Sequence, residues 1–354
     1  MDSESRLDLI KSVGEEIITE DELRVLLQSN DRPKAYDGFE PSGMAHVPFG
    51  LFRAITLKKL LKADVQFTLY LADYFAFANN KLGSDLNKIR ECGEYFIEVW
   101  KAAGIPVEKV QFVWASDLMD SIDYWDLVLR VGKHLTLNRV KRATTIMGRT
   151  EAETETLHAA QLMYPLMQVS DIFALDVDIC QLGMDQRRAN VLAREVAPAL
   201  KKKIPVAVHH HMLLGLQGLS GKDITQAKMS KSRPESSIFV HDSEAEILKK
   251  INSAYCPEKI VENNPVLDYC KHLVFEEFKS MKIERPAKFG GTEEFHSYAE
   301  LEKSFREGKL HPMDLKKSTA EHLNKMIAPI RAHFEKDKKA GQLLEKVRQA
   351  QVTR

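Results

Sequence analysis

Val65-Gln66-Phe67-Thr68-Leu69-Tyr70-Leu71-Ala72 is an apolar, β-rich run set between two helical patterns. Such a run reads as a strand of the buried, parallel-sheet kind. Upstream, Lys34-Ala35-Tyr36 runs as a strand into Gly38-Phe39, and a helix follows over 49–62. Pro48 suits the first helical position, where a missing N–H costs nothing. Downstream, a helix over 84–103 leads to the strand Val110-Gln111-Phe112-Val113-Trp114. This strand–helix–strand–helix–strand order opens a doubly wound α/β sheet.

Residues 117–165 break the alternation and read as a helical insertion on the sheet. Alternation resumes with a helix over 162–174, the strand Val177-Asp178-Ile179-Cys180 and a helix over 185–200. A last strand is Ile204-Pro205-Val206-Ala207-Val208, with Pro205 at its start. Ahead of the sheet, Leu7, Ile10, Val13, Ile17 and Ile18 have the spacing of one or two amphipathic helices, and Thr19-Glu20-Asp21-Glu22 looks like a helix start. Beyond Ser236 the pattern changes: Ile238-Phe239-Val240 is a brief apolar run, and 243–354 reads as helical, punctuated at Asn263-Asn264-Pro265, Gly290-Gly291 and Gly308. The prediction is an N-terminal helical segment (1–30), a Rossmann-like α/β domain with a doubly wound parallel sheet (31–238, insertion about 117–165) and an all-α C-terminal domain (239–354).

The 354 residues are 44% apolar and 29% charged, the composition of a globular protein with ample core. No run is long enough to cross a bilayer, and the first residues lack a secretory pattern. Four scattered cysteines without metal spacing suggest a reducing compartment, with the cytoplasm as the expectation. Net charge is zero, which argues against non-specific coating of nucleic acid but leaves room for local basic patches such as Arg139-Val140-Lys141-Arg142 and Arg187-Arg188.

Several stretches carry chemistry. Tyr36-Asp37-Gly38-Phe39-Glu40-Pro41-Ser42-Gly43-Met44-Ala45-His46 joins a strand end to a helix start. A helix start offers free N–H groups and a positive dipole end to a phosphate, and a histidine beside it can donate as charge develops. Glycines 38 and 43 let the backbone approach a ligand. Lys228-Met229-Ser230-Lys231-Ser232 follows a polar, turn-prone tether; its two ammonium groups can engage phosphate charge most strongly at a transition state. Tyr164, Gln168 and Asp171 are spaced by four and three, so one helix face presents all three. A phenol, an amide and a carboxylate there suit a polar small ligand, or else a satisfied network in the core. Gly183-Met184-Asp185-Gln186-Arg187-Arg188 follows a strand and opens a helix, fitting the α/β crevice. His209-His210-His211 cannot converge on one ion, because neighbours on a strand alternate faces, so no metal site is expected.

In their order, Pro41-Ser42-Gly43 with His46, Tyr164-Pro165-Leu166-Met167-Gln168-Val169-Ser170-Asp171 and Lys228-Met229-Ser230-Lys231-Ser232 resemble the class I aminoacyl-tRNA synthetases, and within them the tyrosyl enzymes of archaeal and eukaryotic type. The resemblance runs from about residue 30 to 335. It implies a tyrosine–tRNA ligase that forms tyrosyl-adenylate from ATP and L-tyrosine and passes the amino acid to tRNA(Tyr). By resemblance, His46, Lys228 and Lys231 stabilise the reacting phosphates. Tyr36 and Asp171 bind the substrate phenol, and Tyr164, Gln168 and Gln186 its amino group. Gly38, His46, Gly183, Asp185, Lys228, Met229, Ser230, Lys231 and Ser232 bind ATP, which arrives with Mg²⁺ held mainly through its phosphates.

The same resemblance places Arg187 and Arg188 on the acceptor stem, and Phe289, His311 and Asp314 on the first anticodon base. It implies a homodimer with the insertion at the interface. Met119, Leu127, Val128, Val131 and Leu135 could form its apolar face, or could be core. The chain departs from the family's His-x-Gly-His at His46-Val47-Pro48-Phe49, where Pro48 and Phe49 replace glycine and histidine. Rival readings are a tryptophanyl enzyme, a non-catalytic RNA-binding relative and a small adenylyltransferase.

Overall fold

The computed structural model describes residues 1–148, 156–218 and 234–352. Its centre is a six-stranded sheet: β1 (Glu16–Ile18), β2 (Lys34–Phe39), β3 (Gln66–Leu71), β4 (Val110–Trp114), β5 (Ile179–Cys180) and β6 (Val206–His209). The spatial order is β1-β6-β5-β2-β3-β4; all neighbours are parallel except β1, which pairs antiparallel with β6. The five parallel strands therefore wind outward in both directions from β2. The order of winding reverses between β2 and β5, so their carboxyl ends leave a crevice where an α/β fold binds ligands.

The helices in chain order are α1 (Ser3–Lys11), α2 (Glu20–Ser29), α3 (Arg53–Lys62), α4 (Asp73–Ala78) and α5 (Leu86–Ala102). The insertion contributes α6 (Ala115–Met119), α7 (Ile122–Lys133), α8 (Leu137–Ala143) and α9 (Ala159–Ala174), and α10 (Arg187–Val196) follows β5. The rest is α11 (Glu244–Ser253), α12 (Pro265–Tyr269), α13 (Phe275–Glu277), α14 (Tyr298–Arg306), α15 (Pro312–Lys336) and α16 (Lys338–Val352). Local chemistry places their ends. Thr19 and Glu22 cap α2 reciprocally, each side chain taking the other's backbone N–H at 3.2 Å. Pro48 begins a wide helical turn, Pro48–Phe52, that continues into α3.

Strand alternation sorts the core into two layers. Ala35, Phe67, Leu69, Ile179 and Val208 face one side, where α3, α5, the N-terminal helices and the C-terminal helices pack in one continuous cluster. Tyr36, Tyr70 and Cys180 face the other side, under α7, α9 and α10. Two features add to the sequence reading. Between the two N-terminal helices lies the short strand β1, and the helical C-terminal part carries a two-stranded antiparallel ladder, β7 (Met281–Ile283) with β8 (Glu293–Phe295). Both pairings are only three residues long, too short to show a period of two.

Residues 45–47 pair with 238–240: the Val47 N–H donates to Ile238 O at 2.9 Å and the Val240 N–H to Ala45 O at 3.1 Å. The chain just beyond positions 219–233 is thus stitched to the His46 segment. Gly50 permits this closeness, since a Cβ there would lie 2.6 Å from Val240 Cγ1. A Gly50→Ala substitution is expected to cost about 1–3 kcal/mol through overpacking. Denaturant unfolding should show the loss, and Val240→Ala in the same chain should recover most of it.

Candidate active site at the sheet switch point

Beneath the crevice lies a buried polar clamp. Arg53 on α3 reaches back to Asp37 of β2, Nη1 to Oδ2 2.8 Å, with both side chains almost wholly inaccessible. The same Nη1 donates to Gln181 Oε1 at 2.5 Å, just past β5, and Gln181 Nε2 lies 3.2 Å from His210 Nδ1, just past β6. Burial pushes the Asp37 carboxyl upward and Arg53 holds it back. Arg53 Nε and Nη2 find no hydrogen-bond partner among the described residues, and the guanidinium lies 5.0 Å from the centre of the Phe67 ring. One cation thereby ties three strand ends together.

On the opposite face, Tyr36 and Tyr70 stand side by side, because Gly38 of β2 is the residue in register with Tyr70 of β3. Both hydroxyls are buried without a hydrogen-bond partner among the described residues. Facing them is Asp171 of α9, fully buried, whose Oδ1 accepts the Tyr124 hydroxyl at 2.7 Å. Tyr70 approaches the same carboxylate closely enough to act on it without closing an ordinary hydrogen bond. Burial drives the Asp171 carboxyl up to about 7, opposed by the Tyr124 hydroxyl.

Two turns toward the amino end of α9, the Tyr164 hydroxyl donates to Glu40 Oε1 at 2.5 Å. Asn79 Nδ2 donates to both Glu40 oxygens, at 3.2 and 3.1 Å. Gln168 Nε2 donates to Gln186 Oε1 at 3.1 Å, and Gln186 Nε2 to Ile146 O at 3.0 Å. The five residues expected around one small ligand are therefore gathered here: Tyr36, Tyr164, Gln168, Asp171 and Gln186. Sequence reasoning passed over Tyr70, Tyr124 and Glu40. Tyr70 was findable, since strand alternation pairs its face with that of Tyr36; Tyr124 and Glu40 enter only through tertiary packing.

Gly183 sits at the mouth of the crevice, where a Cβ would fall 2.5 Å from Asp185 Oδ1 and 2.6 Å from Met212 Sδ. Asp185 is close enough to raise the pKa of Asp37 and of Tyr164. His46 pairs with Phe239 in an isolated bridge. Its segment is held from α5: the Ala45 N–H donates to Tyr95 Oη at 3.2 Å, and Tyr95 Oη lies 2.9 Å from His241 Nε2. Phe49 is turned into the core, stacked on Trp100 with ring centres 4.6 Å apart and edge-on to Phe39 at 5.2 Å. An aromatic residue at this position therefore serves packing and offers the crevice nothing polar. Lys228, Met229, Ser230, Lys231 and Ser232 lie outside the described residues.

The three histidines diverge as strand geometry requires. His209 Nδ1 meets Glu16 at 2.8 Å, His210 meets Gln181, and His211 meets Glu15 and Asp268. Arg187 Nε donates to both oxygens of Glu16, at 2.9 and 2.8 Å, and Arg188 Nη1 to Arg142 O at 2.6 Å. In the C-terminal part, His311 and Asp314 line one cleft of about 370 Å³ with Arg285. His311 caps α15, accepting the Met313 N–H at Nδ1, 3.2 Å. The side chain of Phe289 is outside the described parts.

The insertion decides between two readings of its apolar residues in favour of core. Met119, Val128 and Val131 are buried within the chain, and Leu127 and Leu135 pack against them. The opposite stripe of α7 is apolar too: Ile122, Trp125 and Leu129 face outward, with Ile122 81% and Leu129 71% exposed. The spacing of 124, 128 and 131 hid a second face at 122, 125 and 129.

Residues 28–328 match the family model described as tRNA synthetases class I (W and Y). The chain is 46% identical over 354 residues to tyrosine–tRNA ligase 1, cytoplasmic, of Arabidopsis thaliana, covering 99% of this chain and 90% of that protein. It is 45% identical over 364 residues to the tyrosine–tRNA ligase of Saccharolobus solfataricus, covering 100% of this chain and 99% of that one. Among solved structures, the tyrosyl-tRNA synthetase of Pyrococcus horikoshii complexed with L-tyrosine superposes with a TM-score of 0.91 at 40% identity, over 99% of this chain and 100% of that one. The enzyme of Aeropyrum pernix superposes at 0.88 with 43% identity, over 99% and 100%.

Because burial raises the Asp171 pKa from 3.8 to about 7, the folded chain keeps this proton where the unfolded chain loses it. Its contribution to stability is present below the unfolded value and is lost as pH rises toward about 7. Asp171→Asn, which cannot ionise, is expected to gain in unfolding temperature relative to the unaltered chain from pH 5 to pH 8. Thermal scans in matched buffers measure that difference.

Proposed function

The chain belongs to the class I tRNA synthetases for tryptophan and tyrosine, and we propose that its crevice makes it a tyrosine–tRNA ligase. Tyrosine carboxylate attacks the α-phosphate of ATP, releasing pyrophosphate. A 3′-terminal ribose hydroxyl of tRNA(Tyr) then attacks the carbonyl of the adenylate, breaking the acyl–phosphate bond and releasing AMP. No side chain acts as a covalent nucleophile; positioning and charge stabilisation carry the first step.

One observation carries the choice of amino acid: a buried carboxylate faces the buried phenol of Tyr36, whose hydroxyl closes no hydrogen bond among the described residues. A substrate phenol donates to Asp171 and accepts from Tyr36, so both of those groups and the substrate oxygen are served. Phenylalanine does neither and leaves the site's polar groups buried and unpaired, at about 1–3 kcal/mol each. An indole N–H donates but cannot accept, so tryptophan leaves Tyr36 unserved.

Tyr164, Gln168 and Gln186 hold the α-amino group, with Glu40 as the anion behind Tyr164. Gly38, Gly183 and Asp185 receive ATP, and His46 meets its phosphates. Lys228 and Lys231, with Met229, Ser230 and Ser232, reach the phosphates from a segment whose far flank is hydrogen-bonded beside His46. Since Phe49 is in the core, charge stabilisation leans on His46 and these lysines. Mg²⁺ travels with ATP: among the described residues the one three-residue metal-binding group includes two imidazoles, which suit magnesium poorly.

Arg187 and Arg188 meet the acceptor stem, exchanging Glu16 and Arg142 O for nucleic acid. Phe289, His311 and Asp314 read the first anticodon base, within a helical domain over 239–354. Two copies associate through the outer stripe of α7. The cytoplasm is the proposed compartment: all four thiols are free and buried, and the Arabidopsis relative is named cytoplasmic. No helix among the described residues is long and apolar enough to cross a membrane.

ATP–pyrophosphate exchange tests the reading. Tyrosine should support exchange and tryptophan should not. Asp171→Ala is expected to raise KM for tyrosine at least about tenfold, the equivalent of one lost buried hydrogen bond to a charged group. Lys228→Ala should lower kcat with little change in that KM. Exchange with tryptophan alone would overturn the assignment, and tRNA binding without any adenylate would mark a non-catalytic relative. Leu129→Glu is expected to convert a dimer to a monomer in light scattering at micromolar concentration.

A further inference from the structure

His211 lies two residues past β6, between the N-terminal segment and the helices that follow residue 264. Its Nδ1 is 3.0 Å from Glu15 Oε2 and its Nε2 2.8 Å from Asp268 Oδ1. His272, one helical turn beyond Asp268, places Nε2 3.7 Å from the same oxygen. The two imidazole rings stack with centres 4.2 Å apart. One donor atom from each of His211, Asp268 and His272 lies within 4.8 Å of the others.

We infer that His211, Asp268 and His272 bind a divalent transition-metal ion of the zinc class. Two imidazole nitrogens and a carboxylate oxygen suit zinc, whereas magnesium and calcium take oxygen donors. A tetrahedral ion bound at about 2.0–2.1 Å holds its donors about 3.3 Å apart. The separations of 2.8 and 3.7 Å from Asp268 Oδ1 bracket that value; the stacked rings carry their in-plane lone pairs nearly parallel, so both imidazoles turn toward the carboxylate to close on the ion.

The outer partners are in place. Glu15 accepts the Nδ1–H of His211, the carboxylate–histidine–metal pattern, and the ion takes the place of the proton that Nε2 shares with Asp268. The second oxygen of Asp268 is held by the Leu214 N–H at 2.9 Å, which orients the carboxylate before the ion arrives. A cleft of about 550 Å³ reaches the three ligands and leaves room for a water in the fourth position. Of the two lysines that line the cleft, Lys59 is paired with Glu276 and Lys271 lies over the Tyr298 ring, while Asp268 and Glu15 bring two negative charges. An ion here joins the N-terminal segment, the end of the sheet and the C-terminal helices, and so stabilises their docking by binding only the folded chain.

Equilibrium dialysis of the chelator-treated full chain against zinc, with elemental analysis, tests the site. One ion per chain and a raised unfolding temperature are expected. His272→Ala should abolish both, and Glu15→Gln should weaken binding about 10–100-fold, as outer partners of metal histidines do. Tyrosine-dependent exchange by each variant checks that it is folded. Should a variant fail to fold, cobalt replaces zinc in the unaltered chain; an intense visible band of a four- or five-coordinate ion supports the site, and the weak spectrum of an octahedral ion overturns it. Substoichiometric uptake overturns the inference, as does uptake or a thermal shift that His272→Ala leaves unchanged.

Discussion

The contact on which the crevice depends is the buried pair of Arg53 and Asp37. Parallel strands carry no turns between them, so nothing in the chain's local connectivity aligns their carboxyl ends. Here one guanidinium does so, drawing on Asp37 from β2 and on Gln181, which touches His210, from the two neighbouring strand ends. Removing one partner of a buried pair typically costs about 3–5 kcal/mol, because the other charge is stranded. The spacing between Tyr36 on one side of the switch point and Gly183 and Asp185 on the other rests on that clamp. It lies on the face of the sheet away from Tyr36, so the arrangement is braced without placing a cation against the amino-acid pocket.

That division recurs through the molecule. One sheet face carries the scaffold: Phe49, Trp100 and Phe39 wedge the His46 segment in place, and Tyr95 holds its backbone. The other face carries the pocket, in which α9 supplies Tyr164, Gln168 and Asp171 along one side. The insertion is part of the pocket, since Tyr124 reaches Asp171 and Ile146 O takes the Gln186 amide. A strand's period of two and a helix's steps of three and four are thus enough to bring a carboxylate and phenols together from segments more than a hundred residues apart.

These periods are also what made the fold and pocket legible in the sequence. The run at 65–72 announced the parallel sheet, and positions 164, 168 and 171 announced a common face. Pro41-Ser42-Gly43 with His46 marked the helix start. The Arg53 clamp was not legible, because its partners come from four separate segments and no local pattern links them. Tyr124 and Glu40 were hidden for the same reason. The α7 stripe at 122, 125 and 129 was overlooked because the helix is apolar on two faces and the buried one accounts for the hydrophobic residues by itself. Strand β1 and the β7–β8 ladder are held by tertiary pairing over three residues, a length at which alternation carries no signal.

Helix α15 has a further consequence. It begins at His311 and Asp314 and ends where Arg331 Nη1 donates to Asp242 O at 2.8 Å, His333 meets Glu98 at 2.7 Å, and Phe334 lies against Tyr95 and His241. Twenty-five residues at 1.5 Å each make a rod about 37 Å long. A tilt of about 5° over that length displaces the far end by about 3 Å. Pro329 lacks the N–H that would close one intrahelical bond, so the helix is least braced just ahead of its contacts with Tyr95. One continuous helix thereby spans from the cleft lined by His311 and Asp314 to the tyrosine that holds the histidine segment.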